Sequence, residues 1–345
     1  MYFPRASGVR EGGMKQQLVH WGMSPLPRWI GRRLAGSFLP IFMLHRCTDN
    51  SGRPDPRQIQ AFRDCLSYFR HQGYRAISLQ QLFESMDASE PLPQRTAVFT
   101  VDDGFHDQAE ILGPLFAEFD IPLTYFVITD FLEGKLWSWD DHLLYVLEHT
   151  DLESIPVTLP NGQDFVIDLS LPKPHRPARE ALKSGDQNRI YDWLDHLYEA
   201  ARLERPDVIP DTYRPMSWQQ ARALIDQGHA IAPHTRSHRI LSQLSDEEAR
   251  REIIGSWEDL QRKVPGCSPV FAYPTGRNTD FTPRDRKIVE DSPLLGAVST
   301  EPNSVQTGND RYALPRFGMP TDIVDFMQYL DYIEVLKGKL RSLLN

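Results

Sequence analysis

The sequence predicts an α/β protein built on a parallel sheet, and three observations carry that expectation. Short apolar, β-branched runs recur at residues 41–44, 97–101, 123–128, 230–232, 270–273 and 296–300. Stretches with helical spacing of apolar residues separate them, which is the alternation of parallel-sheet proteins. Several runs also stop abruptly at polar residues, as strands do when their ends line a site. At 345 residues, with 40% hydrophobic and 25% charged residues, the chain is long enough for a large core and has an ordinary soluble composition. A net charge of -9 and a pI near 5.7 exclude a general nucleic-acid binder, which needs clustered Lys and Arg.

Residues 1–38 read as an N-terminal extension. Arg5, Arg10, Lys15, Arg28, Arg32 and Arg33 interrupt its apolar residues, together with Pro and Gly, so no signal-peptide core or membrane span is visible. Residues 26–39 combine Trp29, Ile30, Leu34 and Phe38 with Arg28, Arg32 and Arg33. Packing or fraying is the favoured expectation for them, and contact with an anionic membrane surface the alternative. Cys47, Cys65 and Cys267 are scattered without Cys-x-x-Cys spacing, which fits a reducing, cytoplasmic location and no thiolate zinc site.

The first strand, 41–44, ends in His45, and a lone histidine there is ordinarily a hydrogen-bonded structural residue. Residues 56–72 repeat Ile59, Phe62, Leu66 and Phe69 at helical spacing, with Gly73 as the stop. A short strand at 75–79, a helix at 80–86 and the Pro91-Leu92-Pro93 loop lead to the strand 97–101, which runs into Asp102-Asp103-Gly104. Two adjacent carboxylates do not both stay ionised cheaply without a positive charge beside them, and a metal ion would supply one. A helix at 108–119 and a strand at 123–128 follow. Residues 136–216 then break the rhythm. Trp137 and Trp139 precede a helix at 141–148; Asn161-Gly162 signals a hairpin; a loop holding Pro172, Pro174 and Pro177 leads to a charged helix at 188–202. This stretch reads as an insertion, and insertions at strand ends commonly line binding sites.

Ser217 opens a capped helix that stops at Gly228, and the strand 230–232 delivers His234 and His238. Two imidazoles four residues apart plus one carboxylate make a two-His-one-carboxylate metal site with open positions. A second capped helix starts at Ser245, the strand 270–273 ends in Pro274-Thr275-Gly276, and Leu314-Pro315-Arg316 forms a late edge before a terminal helix at 322–344.

These motifs together resemble the polysaccharide deacetylases (NodB homology, carbohydrate esterase family 4). The resemblance rests on Asp102-Asp103-Gly104, on His234 to His238, on the aromatic-Pro-x-Gly block at Tyr273 to Gly276 and on Leu314-Pro315-Arg316, in the family's order. It implies a distorted, incomplete (β/α)7 barrel over residues 39–320, with 136–216 inserted and 321–345 as a C-terminal helix. It further implies that Asp103, His234 and His238 hold one divalent metal, zinc first, with cobalt or nickel as alternatives. Asp102 would then be the general base, and the Thr275 backbone N–H would support the oxyanion. The implied substrate is an N-acetylated amino sugar in a polysaccharide, an oligosaccharide, or a lipid- or nucleotide-linked precursor. Tyr273, Trp137 and Trp139 are the candidate sugar contacts, the alternative being that both tryptophans are core of the insertion.

Two departures stand out. Ala272 occupies the place where members carry an arginine that orients the base, and Arg316 is the expected substitute, able to bind a carboxylate with both arms. No histidine follows Leu314 to protonate the leaving amine, and His45 is the expected replacement. Hydrolysis of a non-sugar amide and a catalytically silent glycan-binding module are the competing readings. The intact Asp102, Asp103, His234 and His238 weigh against the silent module.

Overall fold

The computed structural model describes residues 11–49, 52–88 and 90–344, the side chains of 11–14 and 342–344 excepted. Arg5 and Arg10 of the basic N-terminal segment lie outside the described residues. The strands are β1 (Phe38–Leu39), β2 (Ile41–Leu44), β3 (Arg75–Ala76), β4 (Thr96–Asp103), β5 (Leu123–Val127), β6 (Ser154–Thr158), β7 (Asp164–Asp168), β8 (Ala230–Pro233), β9 (Val270–Ala272), β10 (Gly296–Val298), β11 (Val305–Gln306) and β12 (Phe317–Gly318).

A parallel sheet in the order β12-β2-β4-β5-β8 forms the centre, with β3 pairing the beginning of β4. The parallel pair β9–β10 stands beside it. The Ser268 N–H donates to the Ile231 carbonyl at 2.7 Å on one side, and a bridge joins Val298 to Leu314 on the other. Helices connect β2 to β4, β4 to β5, β5 to β8, β8 to β9 and β9 to β10, so the fold is a mixed α/β one with a parallel central sheet. Such a sheet is covered on both faces and needs nearly continuous apolar strands. β4 meets that demand: it is buried from Thr96 to Asp102, and only Asp103 is partly open.

Alternate residues of the strands serve two clusters. Phe42 and Phe99 stack at 5.3 Å between ring centres, and Phe69 and Phe116 meet Phe99 edge-on, which fixes helix Pro56–His71 on one face. On the other face Ile41, Val98, Phe126, Ala232, Ala272 and Val298 pack together. The sheet and the β9–β10 pair therefore face one another across a shared interior.

Several elements differ from expectation. β4 continues through both aspartates, because Asp102 and Asp103 pair with Phe126 and Val127 of β5. Residues 108–112 form a π-helical turn, and the helix proper spans only Gly113–Ala117. Residues expected as a Pro-rich loop include a helix, His175–Lys183; Pro177 sits in its first turn, where its missing N–H has no intrahelical partner to lose. The terminal helix is two, Ile323–Leu330 and Tyr332–Leu344. They break at Asp331, whose buried carboxylate accepts from Arg28 Nε and the Tyr74 hydroxyl, each at 2.7 Å. The N-terminal stretch forms helices Glu11–Gly22 and Pro25–Ala35. No helix among the described residues is long and apolar enough to cross a membrane.

Within residues 136–216, helix Trp139–His149, the hairpin β6–β7 and helices His175–Lys183 and Ile190–Ala200 share a separate apolar cluster. Trp139, Leu143, Ile155, Leu182, Leu194 and Leu197 are at its centre.

Candidate active site

The C-terminal ends of the central strands converge on one cluster. At the end of β4, Asp103 adopts φ +90° and Gly104 φ +91°, a turn that aims both aspartates past the sheet. Gly104 is constrained twice, since a Cβ there would also come within 2.8 Å of Leu132 Cδ1. Buried Gln108 fastens the turn: its side-chain oxygen accepts the N–H groups of Gly104 and Phe105 at 3.1 Å, and its amide donates to the carbonyls of Asp102 and His45. Among the described residues, seven non-glycine residues have positive φ, and four of them are Asp103, Thr235, His238 and Thr275. Backbone strain concentrated at one place is a mark of a functional site.

His234 follows β8 and donates from Nδ1 to the Ala272 carbonyl at 2.7 Å, which leaves Nε2 with its lone pair towards Asp103. His234 Nε2 and His238 Nε2 each lie 3.7 Å from Asp103 Oδ1. The loop carrying them is held by Glu252, which accepts the N–H groups of Arg236 and Ser237 at 2.9 Å. His238 Nδ1 lies 2.9 Å from Ser138 Oγ and 3.5 Å from Asp140 Oδ1.

One ligand atom from each of Asp103, His234 and His238 lies within 4.8 Å of the other two. A separation of 3.7 Å is too long for a hydrogen bond. It is close to the ~3.4 Å expected between two ligand atoms around one tetrahedral ion. The far nitrogens of both imidazoles are also engaged, as the second shell of a metal site requires. The donor set thus fits a divalent metal.

Asp102 is in a different environment. Arg316, fully buried, clamps it with both arms, Nη1 to Oδ1 at 2.7 Å and Nη2 to Oδ2 at 2.8 Å. Arg316 is itself fixed by bonds to the Ser299 carbonyl at 2.8 Å and Thr100 Oγ1 at 3.0 Å. Burial would raise the Asp102 carboxyl, but the Arg316 guanidinium outweighs it, and the neighbouring imidazoles add to the effect, bringing it to about 2. Asp103 goes the other way. Burial, with the Asp102 and Asp140 carboxylates, pushes it up to about 6 against the pull of His238. Burial takes His234 down to about 4, whereas at His238 the carboxylates of Asp140 and Asp103 overcome burial and raise it. Two adjacent aspartates are thereby driven apart, so that they take up protons at different pH.

The remaining expected residues divide. Thr275 adopts φ +53°; its hydroxyl donates to Asp280, and its N–H donates to no described residue. His45 is half-buried, and burial, offset only in part by Asp102, takes its imidazole down to about 3. That shift favours the neutral imidazole. Trp137, Trp139 and Tyr273 are corrected as sugar contacts, since none presents a ring face to solvent. Trp137 packs on His142 and Tyr213; Trp139 is fully buried and donates to the His238 carbonyl at 3.0 Å; Tyr273 stacks on Phe281 and donates to the Tyr312 carbonyl at 2.9 Å.

Residues absent from the sequence reading complete the surroundings. Ser138 and Asp140 back His238, and Arg179 holds Asp140 at 2.8 Å. Buried Lys183 pairs with Asp280 at 2.7 Å, and Asp280 also accepts the Arg277 N–H at 2.9 Å. The only sequence signal for these was charge where apolar periodicity ran: Asp140 in the first turn of a helix whose next residues face the core, and Lys183 at the end of another.

Residues 89–291, more than half of the chain, match the family model described as polysaccharide deacetylase. A search of curated proteins finds no match. Among solved structures, the Streptococcus pyogenes deacetylase PplD, in complex with acetate, superposes with a TM-score of 0.56 at 16% identity, covering 85% of this chain and 98% of that one. IcaB from Ammonifex degensii gives 0.54 at 16%, over 86% and 97%. A de-N-acetylase from Aggregatibacter actinomycetemcomitans gives 0.52 at 12%, over 84% and 99%. At these identities the likeness is one of fold.

Proposed function

Because the chain belongs to the polysaccharide deacetylase family, we propose that it removes N-acetyl groups from an amino sugar of a polysaccharide, an oligosaccharide or a lipid- or nucleotide-linked precursor. In this reading residues 39–320 are one catalytic domain, an incomplete barrel with 136–216 inserted beside the site. Asp103, His234 and His238 hold one divalent ion, zinc by its donor set. Bound there, such an ion lowers the pKa of water and polarises the amide carbonyl.

The chain's own residues supply the rest. Asp102, kept ionised by Arg316, takes a proton from the water that adds to the carbonyl carbon. The Thr275 N–H donates to the oxygen that gains charge, a contribution typically worth about a hundred- to a thousandfold in rate. Asp102, a weak base in this setting, then passes its proton to the leaving nitrogen as the C–N bond breaks, giving acetate and a free amine. His45, neutral beside Asp102, helps to position the acetamido group. The observation that carries the reading is the ionised Asp102–Arg316 pair lying directly against the Asp103–His234–His238 cluster.

The test measures metal content and acetate release on the same samples of wild type, Asp103→Asn and His234→Ala. Near one metal per chain, lost in both variants together with acetate release from N-acetylated oligosaccharides, is expected. A wild type that takes up no zinc, cobalt or nickel would overturn the mechanism in favour of a silent glycan-binding module.

A further inference from the structure

Helix Pro25–Ala35 is turned inside out. Its cationic side points into the protein: Arg28 and Arg32 reach the buried Asp331 carboxylate at 2.7 and 3.3 Å, and Arg28 also bonds Gln72 and Tyr74. Its apolar residues Leu26, Trp29, Ile30 and Leu34, spaced i, i+3, i+4, i+8 on one helical stripe, face solvent. Leu26, Trp29 and Leu34 are 66%, 58% and 63% exposed, and Trp21 of the neighbouring helix is 68% exposed. Leaving these groups in water gains nothing for the isolated fold, and a patch of this kind marks an interaction surface.

Charge identifies the occupant. Of the basic residues on helices Glu11–Gly22, Pro25–Ala35 and Tyr332–Leu344, Arg28 and Arg32 turn inward onto Asp331 and Lys15 pairs with Asp325, whereas Arg33, Lys337, Lys339 and Arg341 are exposed, with Glu334 beside Lys337, in a chain whose net charge is -9. The Arg33 guanidinium lies over the exposed Trp29 ring at 5.2 Å, and Lys339 caps the end of the helix through the carbonyls of Leu34 and Ala35. Arg33 and Lys339 thus flank the apolar stripe with positive charge. A second copy meeting this face symmetrically would oppose basic residues to basic residues. An anionic bilayer satisfies both halves of the patch at once, tryptophans and leucines entering the headgroup boundary and the basic rim meeting lipid phosphates.

We infer that the helix pair Glu11–Gly22 and Pro25–Ala35, with the Tyr332–Leu344 helix, is a peripheral docking surface for anionic lipid. Of its anchors, Phe38 opens β1, and Gln72 and Tyr74 precede β3, which pairs with the beginning of β4. Docking therefore engages the end of the sheet where strands begin, and the strand-end site of Asp102, Asp103 and His234 faces away from the lipid.

The test sediments the full-length protein with phosphatidylcholine vesicles, with and without about one third phosphatidylglycerol. Binding to the anionic vesicles that is at least tenfold tighter than to the neutral ones, and that weakens with salt, is expected. Trp29→Ser with Leu34→Ser should lose binding while keeping an unchanged melting temperature, and Lys337→Glu with Arg341→Glu should lose about fivefold or more per residue. Equal or absent binding to the two vesicle types would overturn the inference. So would a concentration-dependent dimer that the Trp29→Ser, Leu34→Ser variant abolishes, which would give the face to a second copy. Vesicle binding needs no catalysis, so this result stands or falls separately from the proposed deacetylation.

Discussion

Arg316→Met is the most informative single change, because it removes one cation and leaves a buried carboxylate behind. Asp102 is 2% exposed and is held at about 2 against its ordinary 3.8. That difference corresponds to about 2 kcal/mol of stability, present above pH ~4 and lost as pH falls towards 2. Removing the arginine forfeits this and strands the carboxylate, and breaking a buried pair in that way typically costs about 3–5 kcal/mol. The sign of the pH dependence should then reverse. With burial and Asp103 opposed only by the neighbouring imidazoles, Asp102 should rise above 3.8, so the destabilisation relative to wild type should be largest near pH 7.5 and shrink towards pH 4.5. Urea denaturation of the metal-free proteins at the two pH values measures this. Turnover should fall by about a hundred- to ten-thousandfold, the usual worth of a general base, with metal still bound. Arg316→Lys keeps the charge but not the two-armed geometry, and it should move the acidic limb of kcat/KM upwards. If Arg316→Met loses the same stability at both pH values and deacetylates within a few-fold of wild type, Asp102 is neither held ionised by Arg316 nor the base.

Other residues give independent tests. Asp140→Asn, which weakens the support of His238 Nδ1, should lower zinc affinity about ten- to a hundredfold in a competition titration with a chelating dye. Lys183→Met leaves Asp280 buried and unpaired beneath the Thr275 loop; kcat should drop by up to about a hundredfold with metal content unchanged, and an unchanged kcat would detach that loop from catalysis. His142 is buried against Trp137, and burial takes its imidazole down to about 2. Its contribution is intact above pH 6.5 and is lost at about 1.4 kcal/mol per pH unit below it. At pH 5 His142→Gln should therefore escape about 2 kcal/mol of the wild-type loss, read as a smaller drop in the urea midpoint between pH 7.5 and pH 5.

The strand ends were legible because their signals are local. An apolar run that stops at Asp102-Asp103-Gly104, or one that delivers His234, states its chemistry within a few residues of sequence. Arg316 was legible for a different reason: the carboxylate needed a cation, and a late motif held one. The supporting residues follow no local rule. Asp140 reaches His238 from 98 positions away, and Lys183 reaches Asp280 across 97. Trp137 and Trp139 show the converse failure, since an aromatic pair near a site reads equally as sugar platform or core, and only packing against Tyr213 and the His238 carbonyl decides for core. The terminal helix was read through Asp331 because aspartate is tolerated in helices, while its burial under Arg28 and Tyr74 is a tertiary fact.

Residues 136–216 therefore do more than cover the site. Ser138 and Asp140 hold one imidazole of the Asp103–His234–His238 cluster, Tyr191 donates to the Ser237 carbonyl within the same loop at 2.5 Å, and Lys183 secures the loop that carries Thr275. Each contact is between a side chain of this stretch and a loop that also carries a positive-φ residue: Thr235 and His238 in one case, Thr275 in the other. Strained loops persist only when surrounding contacts over-determine them. Cutting this segment out would remove the contacts that hold the strain, so a trimmed chain should lose zinc affinity and turnover together, even with Asp102, Asp103, His234, His238 and Arg316 all in place.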